Sequence, residues 1–306
     1  MFGNQILGSI SHQGNRSFSS FNAKENIENT EQFLCATNSE IELALSVSWN
    51  SFQSFAQSKA QNRSALLRLI MDELLHVKEE IKQSYCKESG LSSERFEIEF
   101  SRTINQLQLF ANFLSDNYSE IQSETPENTL LSLPKLTKKR IGIGPVLVFG
   151  ASNFPLAYST IGGDTVSALA AGCPVIVKAH PFHPETSYRV GIAIQNAISK
   201  TEFHSGIFSQ LFDNGHDLAK KLIKDSRIKA VGFTGSFSGG KALLELILER
   251  KEPIPLFAEM GSSNPVFIFP ELLNEKSDEW SSMFAKSITN DAGQFCTKPG
   301  IFFVPE

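Results

Sequence analysis

Four stretches of the 306-residue sequence hold side chains whose types could work together. Cys296 lies in Asn290–Thr297, NDAGQFCT, where a helical pattern gives way to glycine and polar residues. A thiol there is either a nucleophile or a structural cysteine. Glu259, in AEMGSSN, stands at the carboxyl end of an apolar strand pattern, where a carboxylate serves as a general base or as a helix-cap or ion-pair partner. Gly232–Gly240, GFTGSFSGG, follows a strand pattern and opens a helical one. Its N–H groups and helix dipole could receive the phosphate or ribose of a nucleotide; it is not GxGxxG, and a merely tight turn is the alternative. The fourth stretch, Val146–His180, places the amide of Asn153 and the cation of Lys178 each just past the end of a strand. Together a thiol, a carboxylate able to activate water, an amide donor and a nucleotide loop fit one reaction. Thiolate attacks an aldehyde, donors hold the oxyanion, a hydride leaves to a nicotinamide, and water cleaves the thioester.

The elements that must position these groups can be read from periodicity. Val146–Phe149 is a continuous apolar run, as in a buried parallel strand, and breaks at Gly150. A small-residue helix is expected between Leu156 and Ala171, stopped by Gly172 before a second strand, Pro174–Val177. Beyond it the rhythm continues, with helices near Glu185–Ala197, Leu218–Lys224 and Gly240–Arg250 and strands near Ile207–Phe212, Lys229–Phe233 and Pro255–Glu259. Such alternation predicts an α/β fold, a Rossmann-like open parallel sheet with helices on both faces, whose carboxyl edge is the ligand-binding edge. A strand at Val266–Phe269, a helix over about Asp278–Ala292 and the apolar IFFVPE open a second α/β unit. Before the sheet, Ile41, Leu45, Trp49, Phe52 and Phe55, then Leu66 to Ile81, then Phe96 to Leu114 recur at three- and four-residue steps. They predict three long amphipathic helices between Ile41 and about Asn117. Residues 1–40 read as a polar lead-in with some extended pairing, and Asn117–Lys139, with its KLTKKR run, as a connection or pairing excursion.

Composition narrows the class further. A net charge of −5 with 41% hydrophobic residues suits an ordinary globular protein and offers no basic excess for nucleic acid or a membrane surface. Neither a secretion signal nor an apolar run of membrane-spanning length is evident, so a cytoplasmic location is expected. Cys35, Cys86, Cys173 and Cys296 show no metal spacing and predict neither disulfides nor a metal site.

The order GASNFP, VIVKAH, GFTGS, AEMGSSNP and GQFC resembles that of the aldehyde dehydrogenase superfamily, and the resemblance runs from roughly Ile41 to the end. Within it, SNFPLAYSTIGGDTVSALAAGCPVIVKAHPFHPETS and AGQFCTKPG are similar to the α-ketoglutaric semialdehyde (2,5-dioxopentanoate) dehydrogenases and the NADP-linked fatty aldehyde dehydrogenases. The resemblance implies Cys296 as nucleophile, Glu259 as the base for deacylation, and Asn153 as oxyanion donor with the backbone N–H of Cys296. It implies Lys178 at the adenosine ribose or its phosphate, Gly235 and Ser236 beneath the pyrophosphate, and Phe149 and Ala151 beside the nicotinamide half. Many NAD-preferring members carry a glutamate three residues after the lysine; Pro181 stands there instead. NADP is therefore the expected cofactor, with NAD also usable and with Lys178 and His180 supplying charge to a 2′-phosphate; for His180 a solvated loop role is the alternative. The implied reaction is oxidation of a small aldehyde, 2,5-dioxopentanoate, to 2-oxoglutarate, or of a fatty or other aldehyde. Glu259 favours hydrolysis to the free acid over transfer to coenzyme A. The expected domains are a nucleotide-binding unit over 1–259, with its helical part at about 41–117, an excursion for linkage or oligomerisation at about 118–139 and a core at about 140–259, then the start of a catalytic domain over 260–306. Members of the superfamily are longer, so this chain is expected to be part of a full-length enzyme, the alternative being a truncated, inactive nucleotide-binding fragment; the resemblance implies a homo-oligomer for the full-length enzyme.

Overall fold

The computed structural model describes residues 5–119, 121–127 and 134–305. The lead-in contributes more than local pairing. β1 (Gln5–Leu7) pairs antiparallel with β2 (Ile10–Ser11) on one side and with Phe208–Leu211 on the other, so it extends the main sheet. Its side chains alternate between faces, but three residues are too few to display that alternation in sequence. Two short antiparallel pairs follow, β3 (Ser17–Phe18) with β6 (Phe33–Leu34) and β4 (Phe21–Asn22) with β5 (Ile27–Glu28).

Next come four helices rather than three: α1 (Asn38–Ala56), α2 (Ala60–His76), α3 (Lys78–Ser89) and α4 (Ser93–Asn112), the last running into a π turn at Phe113–Asn117. α1 opens on a reciprocal cap in which the Thr37 hydroxyl accepts from the Glu40 N–H and the Glu40 carboxylate accepts from the Thr37 N–H. The single helix expected over Leu66–Ile81 breaks at Val77 (φ −103°, ψ 18°). The apolar rhythm hides the break because Leu66, Ile70 and Leu74 before it and Ile81 after it face the same core. β7 (Ile121–Thr125) and β8 (Leu136–Lys139) then form an antiparallel pair, β8 fully exposed; residues 128–133 of the expected excursion lie outside the described residues.

The alternating core is β9 (Val146–Phe149), α5 (Gly163–Ala170), β10 (Val175–Lys178), α6 (Pro184–Ser199), β11 (Phe208–Leu211), α7 (Asp217–Lys224), β12 (Ala230–Gly235), α8 (Phe237–Leu248) and β13 (Leu256–Met260). The strand order is β13-β12-β9-β10-β11-β1-β2, with β9 to β13 mutually parallel. Val146, Val148, Val175 and Val177 enter one apolar core with α2, α4, α5 and α6, while Leu147, Phe149, Ile176 and Val231 enter a second with α1, α7 and α8. Each such side chain contributes roughly 1.5–3 kcal/mol when fully buried. From β9 the chain runs one way to β10 and β11, then returns past β9 to β12 and β13, so a crevice opens between the loops after β9 and β12.

The helix expected from Leu156 starts only at Gly163. Leu156–Ile161 turns instead, because buried Glu99 of α4 accepts the N–H groups of Leu156 and Ala157 at 2.8 and 2.9 Å. Gly150 fits tightly against this turn; a Cβ there would stand 2.7 Å from the Cα of Ser159. Beyond the main sheet, β14 (Pro265–Phe267) and β15 (Ile301–Phe303) pair parallel in a separate sheet, joined by α9 (Pro270–Thr289). α9 begins and ends earlier than expected: proline is tolerated in a first helical turn, and Asp291 and Ala292 adopt left-handed backbone, φ 46° and 55°. No helix among the described residues is long and apolar enough to cross a membrane.

Candidate active site

The loops that follow β9, β12, β13 and α9 converge on a cavity of about 1070 Å³ whose lining includes Asn153, Gly235, Ser236, Glu259 and Cys296. Each arrives by a simple local rule. Asn153 follows the break of β9 at Gly150, and its Nδ2 donates to the carbonyl of Gln294 at 2.7 Å. An amide carries two N–H groups, so this bond ties the Asn153 loop to the Cys296 loop and uses one of them. Ser236 caps α8, its hydroxyl accepting from the Gly239 N–H at 3.1 Å, and residues 236–238 are exposed at the positive end of a twelve-residue helix. Glu259 is exposed near the end of β13, in register with Thr234.

Cys296 is exposed, while Cys35 and Cys173 are buried and Cys86 half-buried, and all four thiols are free. Its loop is fastened by Asn264, which sequence reasoning left without a role. At φ 43°, Asn264 donates through Nδ2 to the carbonyls of Cys296 at 2.7 Å and Lys298 at 3.0 Å. Asparagine tolerates the left-handed region better than most residues, which was the available signal. Asp164, beside the absent side chain of Gly232, has its carboxyl pushed up by burial and then by the charge of Glu259.

The remaining candidates lie outside this cavity's lining. Phe149 is buried with its ring edge-on to Phe233, centroids 6.5 Å apart. Ala151 is buried, its N–H bonded to the Tyr158 carbonyl and its own carbonyl to the ring of His183. A carbonyl only accepts, so His183 carries its proton on Nε2 and accepts from the Ser187 hydroxyl at Nδ1. Burial pushes His183 down to about 4; it is a buried, neutral brace in the cavity wall.

Lys178 is half-buried at the end of β10, and burial lowers it to about 8 against the opposing charge of Asp213. Asp213, unremarked in the sequence, follows β11 and ion-pairs with Arg16. His180, expected to supply charge or to be a solvated loop residue, is half-buried. Burial, then the neighbouring His183 and Lys178, push its imidazole down to about 2, so it is neutral, and its Nδ1 accepts from the Phe182 N–H at 3.2 Å.

A nicotinamide dinucleotide is compatible with these residues. The exposed first turn of α8 suits a diphosphate, and Gly235 comes so close to its own strand that a Cβ would meet the Phe233 ring at 2.6 Å. A side chain at that position would crowd the turn.

Comparison with known proteins bears on the same arrangement. The chain is 42% identical over 272 residues to alpha-ketoglutaric semialdehyde dehydrogenase 2 of Azospirillum brasilense, which covers 88% of this chain and 52% of that protein. It is 41% identical over 272 residues to alpha-ketoglutaric semialdehyde dehydrogenase of Acinetobacter baylyi, covering 88% and 51%. The chain thus spans about half the length of these curated relatives. Its fold matches that of an aldehyde dehydrogenase from Brucella melitensis biovar abortus with a TM-score of 0.83 at 19% identity, over 99% of this chain and 59% of that one. Residues 10–306 match the aldehyde dehydrogenase family, and the chain belongs to that family.

Proposed function

We propose that the full protein oxidises 2,5-dioxopentanoate to 2-oxoglutarate, with NADP preferred over NAD. The observation that carries this reading is the single cavity at the carboxyl edge of the sheet, lined by Cys296, Glu259, Asn153 and the Gly235–Ser236 turn. The names of the relatives support the substrate. So does Lys298, a cation in the cavity lining two residues beyond Cys296, which complements a substrate carboxylate.

In this mechanism the Cys296 thiolate forms a bond to the aldehyde carbon, and the carbonyl oxygen becomes an oxyanion that accepts N–H groups from Asn153 and the Cys296 backbone. One such donor contributes about 3–4 kcal/mol in the transition state. A nicotinamide dinucleotide, its diphosphate held at the exposed first turn of α8, would supply the acceptor for the hydride that leaves the substrate carbon as the Cys296 adduct becomes a thioester. Glu259 then takes a proton from water, whose oxygen attacks the thioester; the carbon–sulfur bond breaks and the acid leaves. Lys178, at the end of β10, would hold the ribose end of the dinucleotide, and with Pro181 in place of an acid it would supply a cation to a 2′-phosphate. The exposed β7–β8 pair is a connection or a contact between copies of the full-length chain.

Cys296 and Glu259 fail differently on this reading. In the full-length protein given 2,5-dioxopentanoate, Cys296→Ala abolishes both half-reactions. Glu259→Gln leaves a burst of reduced cofactor of about one per site followed by slow turnover, in a medium basic enough for thiolate. Stopped-flow absorbance reads both. Ordinary turnover in Cys296→Ala removes the nucleophile assignment, and an absent burst in Glu259→Gln with cofactor still bound moves Glu259 ahead of hydride transfer.

A further inference from the structure

The Asn153 loop and the Cys296 loop come from distant parts of the chain, and one helix touches both. Arg95, in the first turn of α4 and 9% exposed, ion-pairs with Asp291 and, at 3.1 Å, with Glu99 one turn further along. Its guanidinium lies 4.6 Å from the ring centre of Phe154 and 5.4 Å from that of Phe295. These two rings stack with centroids 5.2 Å apart; Phe154 follows Asn153 directly, and Phe295 directly precedes Cys296. Behind Arg95, Glu99 accepts the Leu156 and Ala157 N–H groups and, at 2.7 Å, the Tyr85 hydroxyl. Two ion pairs of one arginine, with Asp291 and with Glu99, therefore tie the two loops to one helix.

The loop being held is not a relaxed one. Asp291 and Ala292 both have left-handed backbone, a conformation that non-glycine residues keep only where their surroundings over-determine it. The Arg95–Asp291 pair is such a constraint, three residues short of the Gln294 carbonyl that Asn153 contacts.

We infer that Arg95, backed by Glu99, is a positioning residue that sets the spacing between the Cys296 thiol and the Asn153 amide. Arg95 acts through its neighbours, since it is not among the residues lining the cavity. The inference rests on the reading of Cys296 as nucleophile and Asn153 as oxyanion donor. If that reading holds, losing Arg95 lets the loops drift apart, and the oxyanion forms where its donor does not reach. Simple alkylation of the thiol needs no oxyanion donor and is spared.

The full-length protein tests this with Arg95→Met, which keeps the stem and removes the cation, and Arg95→Lys, which keeps a charge for Asp291 without the planar fork. The first-turnover rate of cofactor reduction is expected to fall about 100-fold in Arg95→Met, the scale of an ångström-sized misplacement. Cofactor affinity by fluorescence titration and the iodoacetamide labelling rate of Cys296, followed on its own peptide, stay within about twofold, and Arg95→Lys recovers part of the loss. Should Arg95→Met not fold, Asp291→Asn keeps a residue suited to the left-handed turn and deletes the pair from the loop side; it shows the same pattern at about tenfold. A folded Arg95→Met, or failing that a folded Asp291→Asn, with near wild-type first turnover overturns the inference. So does a loss shared equally by cofactor affinity and Cys296 labelling, which marks a merely structural role. A wild-type protein that oxidises no aldehyde removes the functional reading itself, and the inference with it; an active wild type with unaffected variants removes the inference alone.

Discussion

At the scale of single residues, charge at the ribose end is the sharpest test of the cofactor assignment. Lys178 is held near 8 by burial, with Asp213 opposing the shift. Only the ammonium form attracts a 2′-phosphate, so the preference for NADP over NAD should fall as pH rises through about 8. Lys178→Ala should weaken NADP more than NAD and flatten that profile. Fluorescence titration of both cofactors across the range decides it, and a clear NAD preference untouched by Lys178→Ala sinks the assignment. Cys296, Glu259 and Asn153 were legible in the sequence because each is a reactive type at the end of a recognisable element. Asp213, Asn264 and Arg95 were not, because their meaning lies in a partner on another segment: Arg16, the carbonyls of the Cys296 loop, and Asp291. The burial that lowers the His180 imidazole was not legible for the same reason, since it is a property of the fold.

Among the elements, α6 shows how a helix can be capped from elsewhere. Its preceding residue, His183, makes no side-chain cap. Instead Glu88, near the end of α3, accepts from the Glu185 and Thr186 N–H groups and the Thr186 hydroxyl, at 2.9, 2.9 and 2.8 Å. A carboxylate suits a helix N-terminus, but burial is the larger influence and raises Glu88 from its usual 4.5 to about 7. The folded state thus binds the proton more tightly than the unfolded chain. The stability this contributes is fully present below about pH 4.5 and is lost as pH rises through about 7. Glu88→Gln, which cannot titrate and turns an acceptor into a donor, should be less stable by about 1–3 kcal/mol. The gap between wild type and variant, read from denaturant midpoints, should narrow across that pH window. A gap that is constant or widens contradicts the assignment. The strand and helix alternation placed a helix near Glu185–Ala197 but could not show this cap, just as it could not show that Glu99 would hold Leu156–Ile161 out of α5.

For the whole molecule, the strand and helix alternation read from the sequence was enough to predict a parallel sheet covered on both faces, because continuous apolar strands require cover on both sides. The addition of β1 and the order of strands were not legible, since pairing between distant segments leaves no local periodicity. The seven-stranded sheet and the β14–β15 pair differ in burial. Val146–Phe149 and Phe208–Leu211 are buried throughout, whereas β14 and β15 leave Phe267 and Phe303 at 64% and 50% exposure. Opening β9 or β10 breaks into both apolar cores, while opening β14 or β15 disturbs neither. In hydrogen exchange of the 306-residue chain, amides of Val146–Phe149 and Val175–Lys178 should therefore exchange last, through global unfolding, and those of Val266–Phe267 and Ile301–Phe303 much earlier, through local opening. Leu147→Ala leaves a cavity in one core and should lower the free energy of the slowest class by about 2–5 kcal/mol without changing the β14–β15 class. Equal protection in the two sheets, or a shift in both classes with Leu147→Ala, would mean that they open as one cooperative unit and would remove the proposed boundary near residue 260.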